Sequence, residues 1–441
     1  MSEAGRARLR RDIGTLGASL LVLNGLIGAG IFALPGRVAV NAAELSPWLF
    51  LLVGVVFLCV VLTFAALASY YEHSGGPVLY ARDAFGDLAG FGTGWLLFVS
   101  RSAAFSANVT VMAAYLGAVV PALDSAAGRA AVICAATAVL TWANVAGVRT
   151  GVLTMLVLTV FKITPLALLV LLGLGHVSAE TLWPADVLGI DNPGPTVLLM
   201  IYAFVGFETI GVTAGETDNP RRRLPLALLR TVFGISLFYC LIVMVFVAVV
   251  PEGEYAEASL VEVGRLLAGP AGALAITIAA VFSIGGNLSS SMLAAPRLLY
   301  ALAEHSMLPR TFAYVHPHFR TPSPAIIAMG VLCLGLALSG TFTALAVAST
   351  LSRLLAYVVC IAALPRIRAA AKDEVRREAF TLPGGWLLPA LAMVVCCGLM
   401  MQTTRANWLA VAGLLAIGIL LYGFARRAAS RRSRVQEIRS E

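Results

Sequence analysis

Charge is scarce in this chain. Only 12% of its 441 residues are Asp, Glu, Lys or Arg, while 59% are hydrophobic. A soluble domain carries about a quarter charged residues, so a soluble globular protein is excluded. Lysine is nearly missing: the two present are Lys162 and Lys372. No glycine loop ending in Lys and Ser or Thr occurs, which argues against ATP drive. His73, His305, His316 and His318 fall in internal loops and His176 at an outer edge, none spaced with Glu or Cys as a metal site requires. No metal and no cofactor is expected. The seven cysteines (Cys59, Cys134, Cys240, Cys333, Cys360, Cys396 and Cys397) lie in apolar segments and read as structural thiols. A membrane enzyme would need catalytic His, Asp or Ser clustered at one face, and a sensor would need a soluble output domain. Neither pattern is present, so an enzyme is not expected, and a transporter-like sensor is kept only as a remote alternative.

What is abundant is apolar sequence, with a mean hydropathy of +0.90. Apolar runs mark twelve candidate spans, at residues 14–41, 46–71, 88–120, 129–146, 150–175, 194–218, 225–250, 271–303, 323–339, 342–364, 386–402 and 406–425. Each is long enough, or nearly so, to cross a bilayer as a helix. The first is too long, and too rich in Gly and Pro, for a secretory signal. The expected fold is therefore an all-α integral membrane domain covering 1–441, with the basic segment 426–441 as a tail.

The net charge of +8 follows topology. The two tails and the loops after even-numbered spans, with Arg230 and Arg297 in the spans beside those loops, hold 24 of the 31 Lys and Arg residues. Arg37, Arg129, Arg265 and Arg405 lie on the other side, and Arg101, Lys162 and Arg353 fall within spans. The opposite loops are acidic, as in "PEGEYAEASLVEV". The positive-inside rule places both termini in the cytoplasm, with the protein in the cell's inner (plasma) membrane. The basic residues then meet anionic lipid. Neither nucleic acid nor an obligate protein partner is needed to explain them.

The first span contains "NGLIGAGIFALPG", with Gly25, Gly28, Gly30 and Gly36 and with Pro35. Gly and Pro weaken a helix, and irregular backbone inside a bilayer is tolerated only where it faces protein or a cavity. The sixth span also carries glycines, Gly206 and Gly211, around Glu208. Spans one to five (14–175) and six to ten (194–364) would then be repeats of opposite orientation, followed by two extra helices (386–425). Interrupted helices at matching places point to a transporter site between them. Amides freed near Gly28, Ala29 and Gly30 suit a carboxylate, and carbonyls freed in span six suit an ammonium. Together they would hold an α-amino acid. Close helix packing is the competing use of small residues.

These segments resemble a known family. "GLIGAGIFALPG", "YAFVGFETIGVTAGETDNPRRRLP" and "APRLLYALAEHSMLPRTFAYVHPHFRTPSPA" are similar, in order, to signatures of the amino acid–polyamine–organocation superfamily. The resemblance implies the five-plus-five inverted-repeat fold and secondary active transport of amino acids or related amines. It implies that the amides of Gly28, Ala29 and Gly30 hold the substrate carboxylate. The carbonyls of Ile27, Tyr202, Ala203 and Val205 would hold the amine. Tyr202 would act as an aromatic gate, and Phe207 and Glu208 would flank the side-chain pocket.

Lys162 lies near the middle of span five, about 18 Å from either end at 1.5 Å per residue, too far to reach the interface. A cation there is costly and usually functional, and burial disfavours the charged form of an ammonium. It resembles the span-five lysine of proton-coupled family members, with Ser290 and Ser291 of span eight as oxygen donors to it. The alternative is a permanently charged brace on carbonyls freed in span one, which would leave an exchanger. Glu208 has three readings: counter-charge for a cationic substrate, proton carrier, or brace for the span-six break. Arg101, Ala104 and Asn287 are possible pocket or route residues, and Asn108 could line the cavity or join helices. Arg353 has no partner that the sequence names. Glu216, beside the arginines of "ETDNPRRRLP", could belong to an inner gate.

Overall fold

A computed structural model describes residues 23–71, 76–147, 152–179, 193–208 and 220–440. The N-terminal tail, Gly211, Glu216 and the rest of 209–219 lie outside the described residues. So does His73. Among the described residues the regular structure is helical throughout, with no strand.

The helices used below are α1 (Gly30–Ala33), α2 (Pro35–Ala42), α3 (Ser46–Ser69), α4 (Gly76–Phe85), α5 (Asp87–Val119), α6 (Ala126–Val145), α7 (Val152–Gly173), α8 (Pro193–Ile201), α9 (Pro220–Val249), α10 (Leu260–Glu304), α11 (Ser323–Ser339), α12 (Phe342–Ala370), α13 (Asp373–Glu378), α14 (Leu387–Met401) and α15 (Arg405–Ser440). Every apolar run of the sequence meets at least one of them. Eight helical stretches among the described residues are long and apolar enough to cross a membrane. The expected twelve are not all of that kind. Leu23–Ala33, α11 and α14 are apolar but shorter, and α8 stops at Ile201, well inside its run.

Two helices exceed a simple span. The eighth span is the main part of α10, whose backbone leaves helical geometry at Ala268 and Gly269 (φ +62°). Pro270 restarts the helix, as proline does at a first turn. At 33 residues, α5 is about 50 Å long, more than the hydrocarbon thickness of a bilayer, so it must tilt or project.

The most extensive packing joins α3 to α9, α5 to both α12 and α10, and α10 to α7. Large apolar side chains point outward around the bundle, among them Leu52, Trp142, Leu171, Val331 and Leu409. That surface suits hydrocarbon rather than water. Against it, Arg101, Lys162, Glu208 and Arg353 are buried, and all four converge on the two irregular segments described next.

Candidate functional site

Residues 23–26 are helical, Ile27, Gly28 and Ala29 form bends, and helix resumes at Gly30. The amide of Gly28 still donates to the Leu26 carbonyl at 3.0 Å. The amides of Ala29 and Gly30 donate to no backbone acceptor among the described residues. Gly28 was expected to offer a third free amide, and the bend uses it instead.

The second irregular segment follows α8. Tyr202, Ala203 and Phe204 donate back three residues, at 3.1, 2.9 and 2.9 Å, which tightens the helix end. The backbone then runs non-helically through Val205 and Gly206. The carbonyls of Tyr202, Ala203 and Val205 accept no backbone hydrogen bond among the described residues.

The two segments touch. A Cβ on Gly30 would stand 2.9 Å from the Ala203 Cα, and one on Gly206 would stand 2.5 Å from the Gly25 carbonyl oxygen. Gly206 also has φ +116°, a conformation open to glycine. These glycines therefore serve close approach as well as backbone freedom.

Two helices hold the first segment directly, each through residues one turn apart on one face, and a third supports one of those residues. On α7, Thr159 accepts from the Asn24 amide nitrogen at 2.8 Å, and Lys162 donates to the Ile27 carbonyl at 3.2 Å. On α10, Ser283 donates to the same Ile27 carbonyl at 3.0 Å, and Asn287 donates to the Gly25 carbonyl at 3.1 Å. On α5, Asn108 donates to Asn287 at 2.8 Å. Lys162 is fully buried.

The serine differs from expectation. Ser290 and Ser291 were expected beside Lys162, but the hydroxyl at its carbonyl partner is that of Ser283. Ser290 and Ser291 lie about two turns further along α10, roughly 10–12 Å on. Asn287, expected to line the cavity or to join helices, donates to the first segment directly.

The single Tyr202 hydroxyl proton is shared between Asn108 Oδ1 at 2.6 Å and the Ala104 carbonyl at 3.2 Å. Its ring meets Phe342 edge-on, with centroids 5.7 Å apart, and the Arg37 guanidinium covers Phe342. Phe207 is fully buried in an aromatic cluster with Phe57, Phe64 and Tyr357. It is thus walled in by rings.

Glu208 is the meeting point of the remaining charges. One of its oxygens accepts from the Gly206 amide at 3.0 Å and the Tyr357 hydroxyl at 2.7 Å. The other stands 3.4 Å from Arg353 Nε and 3.7 Å from an Arg101 nitrogen. Arg353 and Tyr357, four residues apart on α12, reach it from one face. This is the partner that the sequence left unnamed for Arg353. Among the described residues no three His, Cys, Asp or Glu side chains group as metal ligands would.

A family described as "Amino acid permease" matches residues 13–421. The chain belongs to that family. The permease is 26% identical to the serine/threonine exchanger SteT of Bacillus subtilis (strain 168), over 96% of this chain and 98% of the relative. It is 25% identical to the branched-chain amino acid permease BcaP of the same organism, over 96% and 94%. It is 29% identical to an uncharacterized transporter of Mycobacterium tuberculosis (strain ATCC 25618 / H37Rv), over 97% and 93%. The permease is an integral membrane protein and a member of the amino acid–polyamine–organocation superfamily, not an enzyme.

Proposed function

We propose that this permease is a proton-coupled amino acid symporter in the cell's inner membrane, with both termini cytoplasmic. The observation that carries the reading is the shared hydrogen bonding of the Ile27 carbonyl by Lys162 and Ser283. It stands two residues before the free amides of Ala29 and Gly30. A proton on Lys162 creates the ammonium that fastens this carbonyl and so fixes the bend that presents those amides to a substrate carboxylate. The Tyr202, Ala203 and Val205 carbonyls take the amine. Linkage then runs both ways: a proton favours substrate, and substrate favours a proton.

The inverted-repeat architecture is part of this reading. Helices that would be repeat counterparts pack on each other: α3 on α9, α5 on α10 and α6 on α11. The irregular segments, counterparts themselves, cross at Gly30 and Ala203. Such pairwise contact suits a pseudo-two-fold axis through the site. The division into 14–175, 194–364, 386–425 and 426–441 rests on that symmetry.

Exchange is the second reading, favoured by the likeness to a relative named as an exchanger. Lys162 is then a permanent brace. Purified protein in proteoliposomes separates the two. Accumulation of labelled amino acid that follows an imposed inward proton gradient supports symport. Uptake only against preloaded amino acid, indifferent to the gradient, supports exchange.

A further inference from the structure

Among the described residues the Arg101–Glu208–Arg353 cluster is one anion short. Two guanidiniums face one carboxylate, and all three side chains are buried. Neither arginine makes a hydrogen bond to another residue among those described; their contacts with Glu208 are ion pairs at 3.7 and 3.4 Å. Arg353 Nε and the facing Glu208 oxygen are both buried without a hydrogen-bond partner. Each guanidinium offers five donors in a fork that fits a carboxylate. A buried cation left uncompensated is strongly unfavourable. The single charge of Glu208 is shared: one oxygen is tied to Gly206 and Tyr357 and the other faces both guanidiniums.

The free donors are also in the right place. Arg101, Ala104 and Asn108 share one face of α5, at positions i, i+3 and i+7. Asn108 and the Ala104 carbonyl hold Tyr202, and Asn108 approaches the space beside Gly28. Arg101 is about 10 Å along the helix axis from Asn108. Its side chain keeps 11% of its surface open, against 5% for Arg353 and 1% for Glu208. Of the three it is the one an incoming group reaches.

We infer that the substrate carries a second anionic group, a side-chain carboxylate, received by Arg101 with Arg353 behind it. The inference rests on the amino acid reading above and narrows it to acidic amino acids. One elementary charge brought in on the substrate balances the cluster, while the α-amino and α-carboxyl groups occupy the two irregular segments. A neutral amino acid leaves the imbalance in place, and a basic one increases it.

Proteoliposomes holding the full chain test this with labelled glutamate, aspartate, serine, leucine and arginine, each measured in chloride and in gluconate. The expected result is uptake of glutamate or aspartate with an apparent affinity at least tenfold above that of the neutral and basic amino acids, in either salt. Arg101→Gln is expected to lower the acidic-to-neutral selectivity ratio by on the order of tenfold or more, the loss of a charge-assisted pair. Arg101→Lys is expected to recover part of that ratio, which a merely misfolded site would not. Preference for serine or leucine with no competition from glutamate overturns the inference and leaves amino acid transport standing. Neutral uptake that requires chloride also overturns it, because the balancing anion is then inorganic. Failure to take up any of the five under any gradient or preload removes the transport reading, and this inference with it.

Discussion

Gly30 and Ala203 hold the two irregular segments at backbone contact. A methyl on Gly30 would stand 2.9 Å from the Ala203 Cα and 3.0 Å from its Cβ. Something must then shift, and both neighbours are backbone or short side chains with little give. Gly30→Val is expected to abolish substrate binding and to destabilise the protein by about 1–3 kcal/mol, the usual range for overpacking. Ligand-induced thermal shift in detergent, together with the apo melting temperature, checks both parts. Binding that survives in Gly30→Val would separate the contact from the substrate seat.

Gly206 makes a sharper case. It needs φ +116° and has the Gly25 carbonyl oxygen 2.5 Å from where a Cβ would be. Gly206→Ala adds one carbon and meets both constraints, backbone strain and a clash with an atom that cannot move alone. The expected outcome is a greater loss of melting temperature than for an Ala placed at Gly234, a helical glycine with open space around it. Equal melting temperatures for the two variants would mean that the crossing is looser than drawn.

Lys162→Ala is expected to remove gradient-driven accumulation, while Ser283→Ala is expected to keep it. Both variants delete a donor to the Ile27 carbonyl, but only one deletes a proton site. The serine loss amounts to about one neutral hydrogen bond, roughly 0.5–1.5 kcal/mol. Accumulation ratios under an imposed proton gradient decide between the two. A Lys162→Ala protein that still concentrates substrate would leave the lysine as a brace.

Removing the Glu208 carboxylate strands two buried guanidiniums. Glu208→Ala is expected to cost about 3–5 kcal/mol, as breaking a buried pair does. Combining it with Arg353→Met should recover part of that loss. A double-mutant cycle on melting stability reads the coupling, and additive losses would show that the 3.4 Å approach carries no energy.

Lys372 offers a test of orientation. The chain has two lysines, Lys162 is fully buried, and Lys372 is exposed between α12 and α13. A membrane-impermeant amine reagent should therefore label Lys372 only from the cytoplasmic face, as peptide mapping of right-side-out and inverted vesicles would report. Labelling from outside would invert the topology.

Much of the site could be read in the sequence, and the gaps have physical causes. Lys162 stood out because a lone lysine inside an apolar run has few innocent explanations. The irregular segments stood out through Gly28, Gly30 and Gly206, where a membrane helix has reason to avoid clustered glycine. Ser283 carries no signal of its own in the sequence, because a single hydroxyl in a helix commonly bonds its own backbone. Ser289 does so, to Gly285 at 2.8 Å. The register would have found it: Ser283 lies four residues before Asn287 and shares its face. The pairing of Arg353 and Arg101 with Glu208 could not be read, since intramembrane charges of known sign leave open which of them meet. The twelve apolar runs and the eight long apolar helices among the described residues differ for a related reason. Apolar runs mark where chain is buried in lipid, but not where a helix such as α8 ends inside the run.

The Ile27 carbonyl has two donors from two different helices, an ammonium on α7 and a hydroxyl on α10. A carbonyl has two lone pairs, so both can be engaged together. On the symport reading, a deprotonated lysine would leave Ser283 holding the carbonyl, so the first helix would keep a tether that carries no charge while the charged latch opens and shuts beside it.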